Sequence, residues 1–157
     1  MTSIVFFNQK GFLSQGYKCD ISIDNVEYNC VEQYVMAERA RFFKDKQQLT
    51  LIMRAVSPRL QRKAGQRVKG YTSRKWNKVA KEIVYRGHKV KFDQHPKLRQ
   101  KLLSTGDKIL VFSSPRDTFW GIGMSKSHKY AKRQRCWRGH NHLGKILMDV
   151  RFDHKYS

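Results

Sequence analysis

The sequence predicts an α+β fold, a mostly helical domain carrying a small sheet. Three observations lead there: strand-like segments gather near the start, helical periodicity dominates from residue 29 onward, and the two kinds of segment do not alternate regularly. A chain of 157 residues is the size of one compact domain with a single sizeable core, so one domain over 1–157 is expected.

Each element has a local reason. "SIVFFN" has the composition of a strand, and "YKCDISIDNVEYN" alternates Cys19, Ile21 and Ile23 before a turn at Asp24-Asn25, the pattern of a hairpin. Asn29 opens a helix to about Phe43, with Val31, Tyr34, Val35 and Phe42 at helical spacing. "DKQQLTLIMRAV" carries a second helix, and Ser57-Pro58 starts a third, serine as cap and proline at the first helical position. A long helix runs from Ser73 with Trp76, Val79, Ile83 and Val90 on one stripe and Gly87 as a weak point. Pro96 starts a further helix that ends at Gly106, "DKILVFSS" reads as a short buried strand, and "NHLGKILMDVRF" closes the chain as a helix.

Charge is the unusual bulk property. Lysine and arginine number 33 against 12 acids, a formal +21; residues 1–55 hold 7 basic and 6 acidic side chains, leaving 26 and 6 for the remainder. Such a field attracts polyanions, with nucleic acid or a phosphorylated small molecule the obvious classes. No apolar run approaches a membrane span, and "MTSIVFFNQKGF" lacks the pattern of a signal peptide. Three widely spaced cysteines, Cys19, Cys30 and Cys136, fit reduced thiols, so an intracellular location, cytoplasm or nucleus, and no membrane partner are expected.

Several residues could carry chemistry, each with a structural alternative. Glu32 lies three residues after Asn29, the spacing of a capping box, yet it is also a carboxylate among core positions. The loop "SSPRDTFWGIGM" combines Asp117, Trp120, Gly121 and Gly123; it suits either a ligand approaching backbone amides or an Asp-capped turn beside a core tryptophan. Trp76 reads first as helix core and second as a stacking surface for a base. Residues 125–139 include Lys126, Lys129, Lys132, Arg133, Arg135 and Arg138 without an acid, interleaved with Tyr130 and Trp137. That mixture suits single-stranded nucleic acid, or else a solvated and mobile loop. Cys136, His140 and His142 lack a second close pair, so no metal is expected, and no nucleophile elbow supports Ser-His-Asp catalysis.

Five stretches in order, the early "FF", "VEQYVMAERARFF", "KWNKVAKEIVYRGHKVKFDQHPKLRQKLLSTG", "SPRDTFWGIG" and "NHLGKILMDVR", resemble the motifs of the NADAR (YbiA-like) family over about residues 6–151. The resemblance implies hydrolysis of N-glycosidic bonds without a cofactor. Some members act on early ribosylamino-pyrimidine phosphates of riboflavin biosynthesis, others remove ADP-ribose from guanine in nucleotides and nucleic acid. By position it implies roles for Glu32, Trp76, Asp117, Trp120, Gly121, Lys91, Gln94, Asn141 and Gly144. Two departures stand out: Arg39 where the family commonly has lysine, and "FLSQG" at residues 12–16 for an "FSNF"-like segment. Arg39 keeps the charge but cannot serve as a titrating or imine-forming amine.

The reading is an N-glycosidase acting on an ADP-ribose-bearing nucleotide or nucleic acid. Glu32, Asp117 and Lys91 are its catalytic candidates. Trp76, Trp120, Gly121, Arg39, Arg67, Gln94 and Asn141 are candidates for substrate binding. Lys129, Lys132, Arg133 and Arg135 are the expected nucleic-acid contacts. The alternatives are a riboflavin-intermediate hydrolase and a non-catalytic module that binds ADP-ribose or nucleic acid.

Overall fold

The computed structural model describes residues 3–157. In chain order its elements are β1 (Ile4–Phe7), β2 (Ile21–Ile23), β3 (Val26–Tyr28), α1 (Val31–Phe42), α2 (Lys46–Arg54), α3 (Pro58–Gln66), α4 (Ser73–Gln94), α5 (Pro96–Ser104), β4 (Ile109–Phe112), a 3-10 turn at Gln134–Cys136, and α6 (His142–Tyr156). The α+β class is thus as expected. The elements form two compact units, one continuous over Gln15–Gln94, the other made from residues 3–14 and 95–157. No helix of the described residues is long and apolar enough to cross a membrane.

In the continuous unit, β2 and β3 pair antiparallel through a turn whose Asp24 and Asn25 both take positive φ, 53° and 64°, the residue types that tolerate it. Helix α1 is the centre of this unit, packed on α2, α3 and α4. Val31, Tyr34, Val35, Met36, Ala37 and Ala40 are buried on it, whereas Phe42, expected on the same stripe, is 43% exposed. Asp45 caps α2 through Gln48 N–H, and Ser57 caps α3 through Leu60 N–H. Helix α4 passes unbroken through Gly87. A Cβ there would meet Val31 Cγ1 at 2.8 Å and Tyr34 Cδ2 at 3.0 Å, so glycine lets α4 approach α1 closely. The buried stripe of α4 differs from the expected one: Trp76, Ala80, Val84, Gly87, His88, Lys91 and Phe92 face inward, while Val79, Ile83 and Val90 are only partly covered.

In the second unit β1 and β4 pair parallel, Ile4 with Ile109 through Phe7 with Phe112. The pairing covers one edge of β4. The other edge is closed by a side chain, since Asn141 Nδ2 donates to Leu110 O and its Oδ1 accepts from Phe112 N–H, both at 2.9 Å. Asn141 holds a left-handed backbone, φ 53°, at the N-terminal boundary of α6. Three residues on, Gly144 brings α6 against β4, and a Cβ there would collide with the Leu110 carbonyl oxygen. Gly144→Ala is therefore expected to destabilise the fold by about 1–3 kcal/mol by overpacking, read as a fall of several degrees in the thermal midpoint; an unchanged midpoint would refute the close contact.

Candidate active site

Glu32 begins the site. Helix α1 has Cys30 as its cap residue, with no side-chain cap bond. The expected capping box is made one residue along: Asn29 N–H donates to Gln33 Oε1 (2.8 Å). Gln33 also donates to Ile52 O (3.1 Å), and Asn29 is held between Val56 O and the Gln61 amide. This corrects the box proposed for Glu32: with Cys30 as cap residue, Gln33 and not Glu32 stands at the third helical position, from which a side chain reaches back to the main chain before the helix. Glu32 is left without a capping duty.

Its carboxylate is 5% exposed and is met at both oxygens. Gln15 Nε2 donates to Oε2 at 2.8 Å, and Arg62 Nε lies 3.3 Å from Oε1. Gln15 O also accepts from Glu32 N–H (2.8 Å), so one residue grips both main chain and side chain. Glu32 sits in the first turn of α1, where the helix dipole favours a negative charge. Sequence reasoning missed Gln15 and Arg62. Gln15 lies within the departing "FLSQG" segment, and Arg62 faces Glu32 only because α3 packs on α1.

Arg39 lies on the same helix. Its guanidinium stacks over Tyr71 at 4.4 Å and near Trp76 at 5.2 Å, and its Nη1 donates to Gly65 O (3.4 Å). Its Nε is buried without a hydrogen-bond partner among the described residues. Trp76 is only 2% exposed and packs beneath Phe42 and Phe43. That corrects Trp76 as a base-stacking platform: no ring face is open, and the indole instead supports Arg39.

Lys91 is fully buried, its Nζ 5.3 Å from the Tyr17 ring and 5.2 Å from the Phe92 ring. Burial pushes its amine down to about 8, with Cys19 and Cys30 partly opposing. The catalytic candidate Lys91 is therefore an interior amine. One turn earlier His88 is fully buried with neither ring nitrogen hydrogen-bonded among the described residues, and burial holds it well below the usual imidazole range, hence neutral. Cys30, pushed up to about 11 by burial, donates its thiol to Gln61 Oε1 (3.1 Å). Gln94 clamps the sheet: Oε1 accepts from Ser22 N–H and Nε2 donates to Ser22 O, both at 2.9 Å. Arg67 is the exposed C-terminal cap residue of α3.

The remaining candidates lie in the second unit. Asp117 Oδ1 accepts from Phe119 N–H (3.0 Å) and Trp120 N–H (2.7 Å), the Asp-capped turn. Gly121 is required by its own chain, since a Cβ would stand 2.9 Å from Phe112 O and 3.0 Å from Asp117 O. The loop's carbonyls then receive the first amides of α6: Asn141 N–H to Gly121 O and Leu143 N–H to Trp120 O, both at 3.1 Å. Asp117 and Gly121 thus build the loop, and the Asn141 side chain, 1% exposed, is bonded to β4. Trp120 remains half-buried, its ring edge-on to Phe119 at 4.9 Å.

The basic segment is anchored beneath and open above. Ala131 is buried in a cluster with Val111, Ile122 and Met124, and Trp137 packs against it, donating its indole N–H to Ala131 O (2.7 Å). Trp137 thereby anchors the segment. Lys126, Lys129, Lys132, Arg133, Arg135 and Arg138 are exposed without a carboxylate partner among the described residues. Lys129 and Arg133 flank the ring of Tyr130 at 4.9 and 5.6 Å. Among the described residues no three His, Cys, Asp or Glu side chains converge as a metal site.

Comparison with known proteins adds a family. The family model described as NADAR domain matches residues 5–153. An N-glycosidase of Acanthamoeba polyphaga mimivirus is 38% identical over 125 residues, 80% of this chain and 74% of the viral protein. An N-glycosidase of Nostoc punctiforme is 35% identical over 131 residues, 83% of this chain and 77% of the relative. The NMR structure of the E. coli protein YbiA superposes with a TM-score of 0.78 at 26% identity, covering 98% of this chain and 86% of that one.

The Lys91 amine gives a pH prediction. Its folded pKa of about 8 lies below its ordinary 10.5, so the unfolded chain binds more protons between those values. The cost of burying the charge is complete below pH 8 and fades as pH rises through that window. In urea unfolding, the stability of Lys91→Met relative to wild type is expected to fall by about 3 kcal/mol in going from pH 7 to above pH 10. A difference that does not vary with pH would show an unshifted amine.

Proposed function

We propose that this chain, which belongs to the NADAR domain family, is an N-glycosidase that removes ADP-ribose from guanine in a nucleotide or nucleic acid. The observation that carries the proposal is Glu32: a buried carboxylate, free of capping duty, fixed at both oxygens by Gln15 and Arg62. Cleavage of an N-glycosidic bond leaves positive charge on the sugar as the base departs. A carboxylate near C1 of the ribose stabilises that charge, and its remaining lone pairs accept a proton from the attacking water. Preorganisation by Gln15 and Arg62 means that the carboxylate does not have to be aimed during the reaction. Arg39, held flat on Tyr71, supplies fixed positive charge for a phosphate group but not an imine-forming amine, so the route at this position is non-covalent.

The formal charge of +21 and the unpaired cations on the 125–139 segment favour nucleic acid as carrier of the ADP-ribose over a small riboflavin intermediate, which would not need such a field. The names of the mimivirus and Nostoc relatives support the reaction class.

Two measurements test this reading. Incubated with ADP-ribosylated guanosine, an ADP-ribosylated oligonucleotide and the riboflavin intermediates, the protein is expected to release ADP-ribose from the first two. Glu32→Gln keeps the contact with Arg62 weakly and the fold intact, yet should lower kcat by roughly 10²–10⁴-fold; full activity in that variant would remove Glu32 from the chemistry. Second, oligonucleotide affinity should fall steeply with salt, and neutralising Lys132, Arg133 and Arg135 together should flatten the logarithmic slope by roughly 2. An unchanged slope would leave the segment a solvated surface.

A further inference from the structure

We propose that the cavity at the carboxyl ends of β1 and β4 is an anion subsite that holds a phosphate group of a nucleotide. The two strands run parallel in register, so both leave the sheet at the same edge. Chains that diverge from the carboxyl edge of two parallel strands leave a crevice between them. Here that crevice is a cavity of about 480 Å³, lined by Asn8 and Lys10 after β1 and by Phe112, Ser113, Ser114 and Arg116 at and after β4. Its volume lies within the range of small-molecule sites.

The lining is rich in donors and contains no carboxylate. Lys10 and Arg116 are exposed, come from different strand exits and have no acidic partner among the described residues. Asn8 spends its acceptor on Lys10 N–H (2.8 Å), which leaves its amide N–H₂ as a donor. The rim is also fixed, because Ser113 donates both its N–H (2.9 Å) and its hydroxyl (3.1 Å) to Phe7 O and so ties one strand exit to the other. Beneath it Phe112 stacks on Phe7 at 5.3 Å and gives a dry floor. Two cations and the Asn8 amide around the hollow select an oxyanion, and a guanidinium with an ammonium suits a phosphate.

Only the nucleotide as carrier rests on the proposed function; the anion chemistry stands on the cavity. The test is therefore equilibrium binding at fixed ionic strength and without turnover, using inorganic pyrophosphate, ADP-ribose and a single-stranded RNA oligonucleotide as probes against wild type and the Lys10→Ala/Arg116→Ala double variant. Pyrophosphate affinity is expected to fall about tenfold or more in the variant, roughly the share of one charge-assisted contact. An accompanying loss for ADP-ribose alone assigns the subsite to the small nucleotide, and a loss for the oligonucleotide alone assigns it to a phosphodiester. Affinities unchanged for all three overturn the proposal. Should the double variant fail to fold, wild type decides: pyrophosphate-induced NMR shifts centred on the Ser113 and Ser114 amides support the subsite, and their absence rejects it. Failure of the glycosidase reading would appear as missing turnover with pyrophosphate binding intact.

Discussion

A polar group taken out of water must find a partner inside the protein, and in this chain carboxamide side chains meet much of that demand. Gln33 accepts the amide at the start of α1, Gln61 and Asn29 tie the chain between α2 and α3, and Gln94 and Asn141 close the bare edges of β2 and β4. Two sheets of two strands each would otherwise expose buried peptide groups along every outer edge. The candidate site depends on the same constraint. Because Gln33 has taken the cap, the glutamate beside it is released, and because Gln15 and Arg62 then meet its oxygens, a carboxylate can be kept within a hydrophobic helix face.

Most of the secondary structure was legible because its signals are local. The Asp24-Asn25 turn, the Ser57-Pro58 helix start and Pro96 each act through their own backbone, and the structure places elements where they predict. The parallel pairing of β1 with β4 was not legible, since nothing in either strand names a partner so far along the chain. The face of α4 was misjudged for a related reason. Periodicity counts apolar residues, whereas this helix buries His88 and Lys91 and leaves Val79, Ile83 and Val90 partly outside.

The candidate site was legible in part. Glu32 stood out as a charge among core positions, and Arg39 as a departure from the family it resembles. Their partners could not be read, because Gln15 and Arg62 lie on other segments and become neighbours only through packing. Residues chosen for their chemical type fared differently. Trp76, Gln94, Asn141 and Gly121 all have structural work that excludes or competes with ligand contact, which is what resemblance by motif leaves unresolved: a position can be retained for the fold that supports a site as readily as for the site.

The way the two units divide the chain sets an order for their assembly during synthesis. Residues 15–94 form one unit from a continuous stretch, so every contact within it is available once that stretch has left the ribosome. The sheet of the other unit cannot form until Phe112 has emerged to meet Phe7, and the Asn141 side chain that covers its open edge arrives later still. For that interval β1, with its run Ile4, Val5, Phe6 and Phe7, is an unpaired apolar strand on a nascent chain. The unit that follows it is continuous in sequence, so β1 is the segment that waits longest for its partner and has the most to gain from a chaperone.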